Sequence, residues 1–163
     1  MTPFTVSLIQ RLKAAFGPVV AGLKDSSGDF KGTLEFAKAT DDFDVFPGSE
    51  AVLIEGLASG CTGSISATSN ASAKLTAKTF NANGTPAAVD LQELLTAVRL
   101  AIAKYPLSPA LKQIKAWQSD DDSWRAVLPP NVKLNDSQQR DLRDALQALG
   151  PEALVFDEQL EAS

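Results

Sequence analysis

An α/β protein is the fold class that this sequence predicts, on three observations. Short apolar runs alternate with helical patterns over residues 5–83 and recur after about 20 to 24 residues, the spacing of βαβ units in a parallel sheet. The runs are continuous rather than strictly alternating, as parallel strands covered on both faces should be. From residue 85 onward the pattern is helical only.

The elements follow in order. Residues 5–16 read as an amphipathic helix, with Leu8, Ile9, Leu12, Ala15 and Phe16 on one face. Thr5 is its N-cap and Gly17-Pro18 its stop. Val19 to Lys24 reads as a buried strand. Asp29 to Ala39 is a second helix, with Leu34, Phe36 and Ala37 inward. "FDVFP", Phe43 to Pro47, is a second strand, and Ser49 caps a third helix, "EAVLIEGLAS". After the turn Gly60–Gly63, "SISAT" is a third short strand, and a fourth helix runs from about Ser72 to Asn83.

In the helical part, Thr85-Pro86 suits a helix start, and Leu91, Leu94, Leu95, Val98 and Ile102 form its stripe. Ser108-Pro109 opens another helix, with Leu111 and Ile114 inward. A long connection holds Pro129-Pro130, Trp117 and Trp124 are expected to pack this part, and Asp136 with Gln139 resembles a capping box for a last helix. Leu142, Leu146 and Leu149 are that helix's stripe, Gly150-Pro151 its stop, and "EALVFDEQLEAS" a short helix or a frayed tail. The expected division is residues 1–84 and residues 85–163.

Composition narrows the function. The chain has 163 residues, enough to bury a sizeable core. A net charge of −5 disfavours nucleic-acid and anionic-membrane surfaces. With no histidine, Ser-His-Asp and Cys-His catalysis are excluded within the chain. Cys61 is the single cysteine, so no internal disulfide forms, and a zinc site lacks ligands. No signal-peptide pattern and no apolar run of membrane-spanning length is present. The expectation is a soluble, cytoplasmic protein with no metal and no cofactor.

In parallel α/β architectures, functional groups gather at the carboxyl ends of strands. Here those ends carry Lys24-Asp25-Ser26-Ser27, Gly48-Ser49-Glu50 and Ser66-Ala67-Thr68-Ser69-Asn70. A lysine in apolar surroundings loses hydration, which lowers its pKa. The neutral amine then attacks a carbonyl to form a Schiff base. The alternative is a lysine that snorkels out at a strand end. Glu50 is either an acid/base or substrate-hydroxyl group, or a first-turn helix carboxylate. Asp25 and Asp29 read as caps or turn formers. Cys61 reads as a packed residue, and Asp120–Asp122 as a solvated loop.

"GLKDSSGD" followed by "FPGSEAVLIEGLASGCTGSISATSNA" closely resembles the dihydrodipicolinate synthase / N-acetylneuraminate lyase family of class I aldolases. "SPALKQIKAW" and "WRAVLPPNVKLND" resemble the family's C-terminal helices, so the likeness runs from about Phe4 to Gly150. The resemblance implies a partial (β/α)₈ TIM barrel, its last three strands with their helices, plus a C-terminal helical extension. It implies that Lys24 is the Schiff-base lysine on the sixth strand, with pyruvate or a related 2-oxo acid as partner. Gly48, Ser49 and Glu50 match the loop after the seventh strand. Ile65 and Ser66 match the eighth, near the bound oxo acid. Family members usually form homotetramers.

The family's first five strands have no counterpart here. Nor do its paired-threonine motif for the oxo-acid carboxylate and the tyrosine that relays protons. Tyr105, the one tyrosine, falls in the helical extension. The chain therefore reads as the C-terminal half of a barrel, starting at an internal methionine. Two readings follow: a Schiff-base-forming lyase or synthase, or a non-catalytic fragment acting only through association with other chains. Ser26-Ser27 after the lysine speaks against sialic acid as substrate.

Overall fold

The computed structural model describes residues 4–153. They form two compact units, the first ending at Ser66 and the second beginning at Ala67.

The first unit opens with helix α1, Val6–Phe16. The Thr5 hydroxyl accepts from the Leu8 amide at 3.2 Å, satisfying one of the free first-turn donors. Gly17, at φ 57°, ends the helix, and a single 3₁₀ turn, Gly17–Val19, follows. Strand β1, Gly22–Asp25, therefore starts later than the apolar run suggests, and Val19 is 87% exposed. Helix α2, Phe30–Ala37, is capped by the Asp29 carboxylate, which accepts from the Gly32 amide at 3.2 Å.

Strand β2, Asp44–Pro47, lies parallel to β1 in the register Gly22↔Asp44, Leu23↔Val45, Lys24↔Phe46 and Asp25↔Pro47. Ile9, Phe43, Val45 and Cys61 are buried together, and Val20, Leu23, Leu34, Phe36 and Ala37 pack against them. This core covers one face of the sheet. On the other face Gly22, Lys24 and Asp44 are exposed and Phe46 is half-buried. The expectation of a buried first strand is corrected accordingly: side chains alternate along a strand, and only the Leu23–Asp25 side of β1 is covered.

The expected third strand is also corrected. Residues 61–66 form no regular strand, although part of the segment runs beside β2. The Thr62 amide donates to the Val45 carbonyl at 3.0 Å, and the Ile65 amide to the Pro47 carbonyl at 3.1 Å. Two residues of β2 are thus spanned by three on the partner, the count of a β-bulge. The donor that a regular ladder needs between these bonds is the Pro47 N–H, which proline lacks. Before this segment, the Ser49 hydroxyl accepts from the Ala51 amide at 3.2 Å and caps a 3₁₀ turn, Glu50–Val52. That turn leads into helix α3, Leu53–Ala58.

The second unit holds two 3₁₀ turns, Thr68–Asn70 and Asp122–Arg125, and four helices. These are α4 (Ala73–Asn81), α5 (Ala87–Ile102), α6 (Leu107–Ser119) and α7 (Asp136–Gln147). Helix α5 is the centre, packing against α4, α6 and α7. Its Leu95, Val98 and Ile102 have no exposed surface, nor do Ile114 of α6 or Leu142 and Leu146 of α7. Helix α4 belongs with this unit because its Leu75 and Thr79 are buried, and the Thr79 hydroxyl lies 2.8 Å from the Leu75 carbonyl and 3.5 Å from that of Leu91. The units thus divide well before residue 85. The Thr85 hydroxyl donates to the Ala82 carbonyl at 2.7 Å rather than capping α5.

Trp117 is half-buried, with the Arg143 guanidinium 4.9 Å from its ring centre, whereas Trp124 is exposed, with Lys115 over it at 5.9 Å. The capping box lies one residue earlier than expected. The Asn135 side chain accepts from the Gln138 amide at 2.9 Å, and the Gln138 side chain accepts from the Asn135 amide at 3.0 Å. Asn135→Ala is expected to cost about 1 kcal/mol, read as a lowered denaturation midpoint. The expected short helix at the end of the chain falls mostly on residues 154–163, outside the described residues. No helix among the described residues is long and apolar enough to cross a membrane.

Candidate active site

Lys24 stands one residue from the carboxyl end of β1, on the open face of the sheet. Its register neighbour on that face is the aromatic residue Phe46. Among the described residues Lys24 has no hydrogen-bond or ion-pair partner. The desolvated setting expected for it is not present among the described residues, because Lys24 is exposed.

The next residue faces the other way. Asp25 Oδ1 accepts from the Ser27 amide at 2.9 Å. Asp25 Oδ2 accepts from Ser27 Oγ at 2.9 Å and from Thr33 Oγ1 at 2.5 Å. Partial burial by itself would raise the pKa of this carboxyl. The Thr33 bond and the two from Ser27 outweigh it and hold the group below the ordinary range. The same turn continues with the Asp29 amide donating to Ser27 Oγ at 3.1 Å. Asp25 and Asp29 thus act as the turn former and cap that their residue types suggested.

Gly48 brings the second strand end against this turn. A Cβ there would lie 2.8 Å from the Asp25 carbonyl oxygen and 3.3 Å from Ser26 Cα. Only glycine lets the two chains approach this closely. Ile65 is joined to the same strand end by its bond to Pro47, and its side chain is 48% exposed. Ser66 is half-buried. Glu50 differs from these: its side chain is fully enclosed in the first turn after the Ser49 cap. Lys24, Gly48 and Ile65 therefore share one end of one sheet, while the Glu50 carboxylate lies inside the protein.

Phe46 and Thr33 were not singled out in the sequence. The signal for Phe46 is its alternation with Val45, which places it on the lysine's face once the register is known. For Thr33 it is the spacing from Asp29, one helical turn along α2 from its cap. Among the described residues no group of three or more His, Cys, Asp or Glu side chains is arranged to hold a metal ion.

A sequence model of the dihydrodipicolinate synthetase family matches residues 2–149. This chain belongs to that family. A curated relative, an uncharacterized DapA-like lyase of Chloroflexus aurantiacus, is 36% identical over 121 residues, 72% of this chain and 40% of the relative. Dihydrodipicolinate synthase from Agrobacterium tumefaciens superposes with a TM-score of 0.74 at 29% identity, over 93% of this chain and 50% of that one. YagE, a prophage protein of the dihydrodipicolinic acid synthase family from E. coli K12, solved in complex with pyruvate, superposes at 0.79. Its identity is 21%, over 89% of this chain and 51% of that one, so it speaks to the fold alone. The chain thus spans about half the length, or less, of these family members. Its fold is the α/β fold of the family, here with a two-stranded parallel sheet and many helices.

Proposed function

We propose that this chain carries the Schiff-base lysine of a lyase or synthase of aldolase type that acts on pyruvate or a related 2-oxo acid. The observation that carries the reading is Lys24 itself. It is an amine without a hydrogen-bond or ion-pair partner among the described residues, on the open face of a parallel sheet, at the strand end, in a chain of the dihydrodipicolinate synthetase family.

The chemistry needs a neutral amine and a ketone. Lys24 Nζ attacks the keto carbon, forming the C–N bond of a carbinolamine. Loss of water leaves an iminium, with the former keto oxygen departing in that water. The iminium draws the electron pair of a C3–H bond toward nitrogen as the proton leaves, giving an enamine. The enamine carbon then adds to an electrophilic carbonyl, and hydrolysis returns the amine. Gly48, Ser49, Ile65 and Ser66 are the proposed surroundings of the substrate. Glu50 acts there by shaping the loop from within, since its carboxylate has no open surface.

The sheet is proposed to be part of an eight-stranded (β/α)₈ barrel. The outer edge of β1 has no strand partner among the described residues, and an unpaired edge is a site for further pairing. Assembly as a homo-oligomer belongs to the same proposal. The sequence holds no Gly-Thr-Thr motif, and its one tyrosine, Tyr105, follows α5 in the second unit. Carboxylate binding and proton relay must then come from elsewhere. General acid–base catalysis alone is worth about 10²–10⁴-fold, so imine formation by this chain is expected to far outlast its turnover. The second reading, a fragment that works only in association with other chains, is favoured by the same open edge.

Incubation with pyruvate and sodium borohydride, followed by peptide mass spectrometry, tests the reading. The expected result is the mass of reduced pyruvate on the peptide that holds Lys24. A folded sample without that adduct overturns it.

A further inference from the structure

Resting on the role proposed for Lys24, we infer that Asp25 and Thr33 are positioning residues for it. A buried hydroxyl on α2 grips the carboxylate next in sequence, and so fixes the strand end from which the amine projects.

The geometry is specific. Lys24 and Asp25 point to opposite faces of β1, as consecutive residues of a strand must. Asp25 is therefore turned away from the face where a substrate would meet the amine. Both its oxygens are engaged by three donors from two residues, Thr33 Oγ1, Ser27 N and Ser27 Oγ. A carboxylate so occupied on the far side of the strand is no proton acceptor for chemistry at Lys24. It is an anchor.

The anchor ties three things together. Thr33 is 3% exposed and sits one turn into α2, so its hydroxyl is fixed by the helix. Its oxygen also lies 3.1 Å from the Asp29 carbonyl. A hydroxyl donates one hydrogen, and the shorter, charge-assisted contact to Asp25 takes it. Ser27 bonds the carboxylate twice and accepts from the Asp29 amide, and Asp29 caps the same helix. The turn after the lysine is thus closed onto α2 by side chains rather than left to the loop. On the sheet side Asp25 stands in register with Pro47, and its carbonyl oxygen lies against Gly48. The residue after the lysine is held from the helix and from the sheet. Such fixation matters because a reacting atom misplaced by about 1 Å can cost roughly 100-fold in rate.

The test follows borohydride trapping of pyruvate on the full chain at varied pyruvate. It separates the limiting trapping rate from the half-saturating concentration, each corrected for the folded fraction by circular dichroism. Thr33→Val keeps the side-chain shape and removes the hydroxyl; its limiting rate is expected to fall roughly tenfold to a hundredfold. Thr33→Ser, which keeps the hydroxyl, is expected to restore most of it. Ser27→Ala, on an exposed turn, is expected to give a smaller fall and decides the matter if Thr33→Val does not fold. Wild-type limiting rates in the folded protein for these variants overturn the positioning role, and so does a loss wholly accounted for by a smaller folded fraction. If the unaltered chain itself gives no adduct on Lys24, the reading of Lys24 fails and this inference falls with it. An adduct that is insensitive to Thr33 sinks the inference alone.

Discussion

Lys24→Met is expected to remove the trapped pyruvate adduct completely from the peptide that contains residue 24, while leaving the fold unchanged. The two halves of that result have separate causes. Methionine keeps the unbranched stem beside Phe46, but its thioether cannot add to a carbonyl and keep a C=N bond. No conservative replacement rescues the step. Arginine retains the charge, but its guanidinium stays protonated at any working pH and offers no free electron pair. The stability half follows from exposure. Lys24 lies on the open face and has no hydrogen-bond or ion-pair partner among the described residues. Surface changes away from packing and networks usually fall within about 0.5 kcal/mol. Thermal unfolding of the variant should therefore overlay that of the parent. Labelling that persists at undiminished total yield on other lysines would mean that trapping reports generic surface amines, and the role given to Lys24 would be lost.

The lysine was legible in the sequence for a physical reason. An apolar run that ends in an amine and then breaks into Asp-Ser-Ser-Gly has few structural readings, and a strand followed by a turn is the simplest. Both strands, the first two helices and the caps at Thr5, Asp29 and Ser49 follow from local chemistry of this kind. What stayed hidden depended on partners. Whether a strand face is covered is not a property of the strand, so Val19–Lys24 reads as buried although one side of β1 stands open. "SISAT" has the composition of a strand, but a regular ladder needs the donor that Pro47, a residue of the neighbouring strand, lacks. Asn135 and Asp136 each have glutamine three residues on, and either fits a capping box; the structure uses Asn135. Thr33 looks like an ordinary helix residue until its hydroxyl is seen on Asp25.

Glycine positions offer a sharper test of the geometry around the lysine. Gly22→Ala is expected to destabilise the chain by about 3 kcal/mol, the upper end of the usual cost of an added methyl group that forces a backbone shift. A Cβ on Gly22 would run into the carbonyl oxygen of Asp44, with the Asp44 Cβ 3.0 Å away. The obstructing oxygen is backbone and cannot rotate aside as a side-chain tip would. Gly22↔Asp44 is also the first rung of the β1–β2 pairing, next to the 2.9 Å bond from the Asp44 amide to the Ala21 carbonyl. Relief of the clash must separate the strands where they begin to pair, two residues before Lys24. The variant should therefore lose trapping rate as well as stability. Gly28→Ala is the matched control. Gly28 sits at φ 79° with open space around its Cβ position, so its replacement meets backbone strain but no collision. That strain is worth about 1–2 kcal/mol. Urea denaturation of the two variants side by side checks the ranking. Gly22→Ala should show the lower midpoint, and a midpoint equal to or above that of Gly28→Ala would mean that β1 and β2 do not pair as closely as the register requires. The comparison isolates contact from conformation, because both variants add the same single methyl group to the strand and turn that carry Lys24.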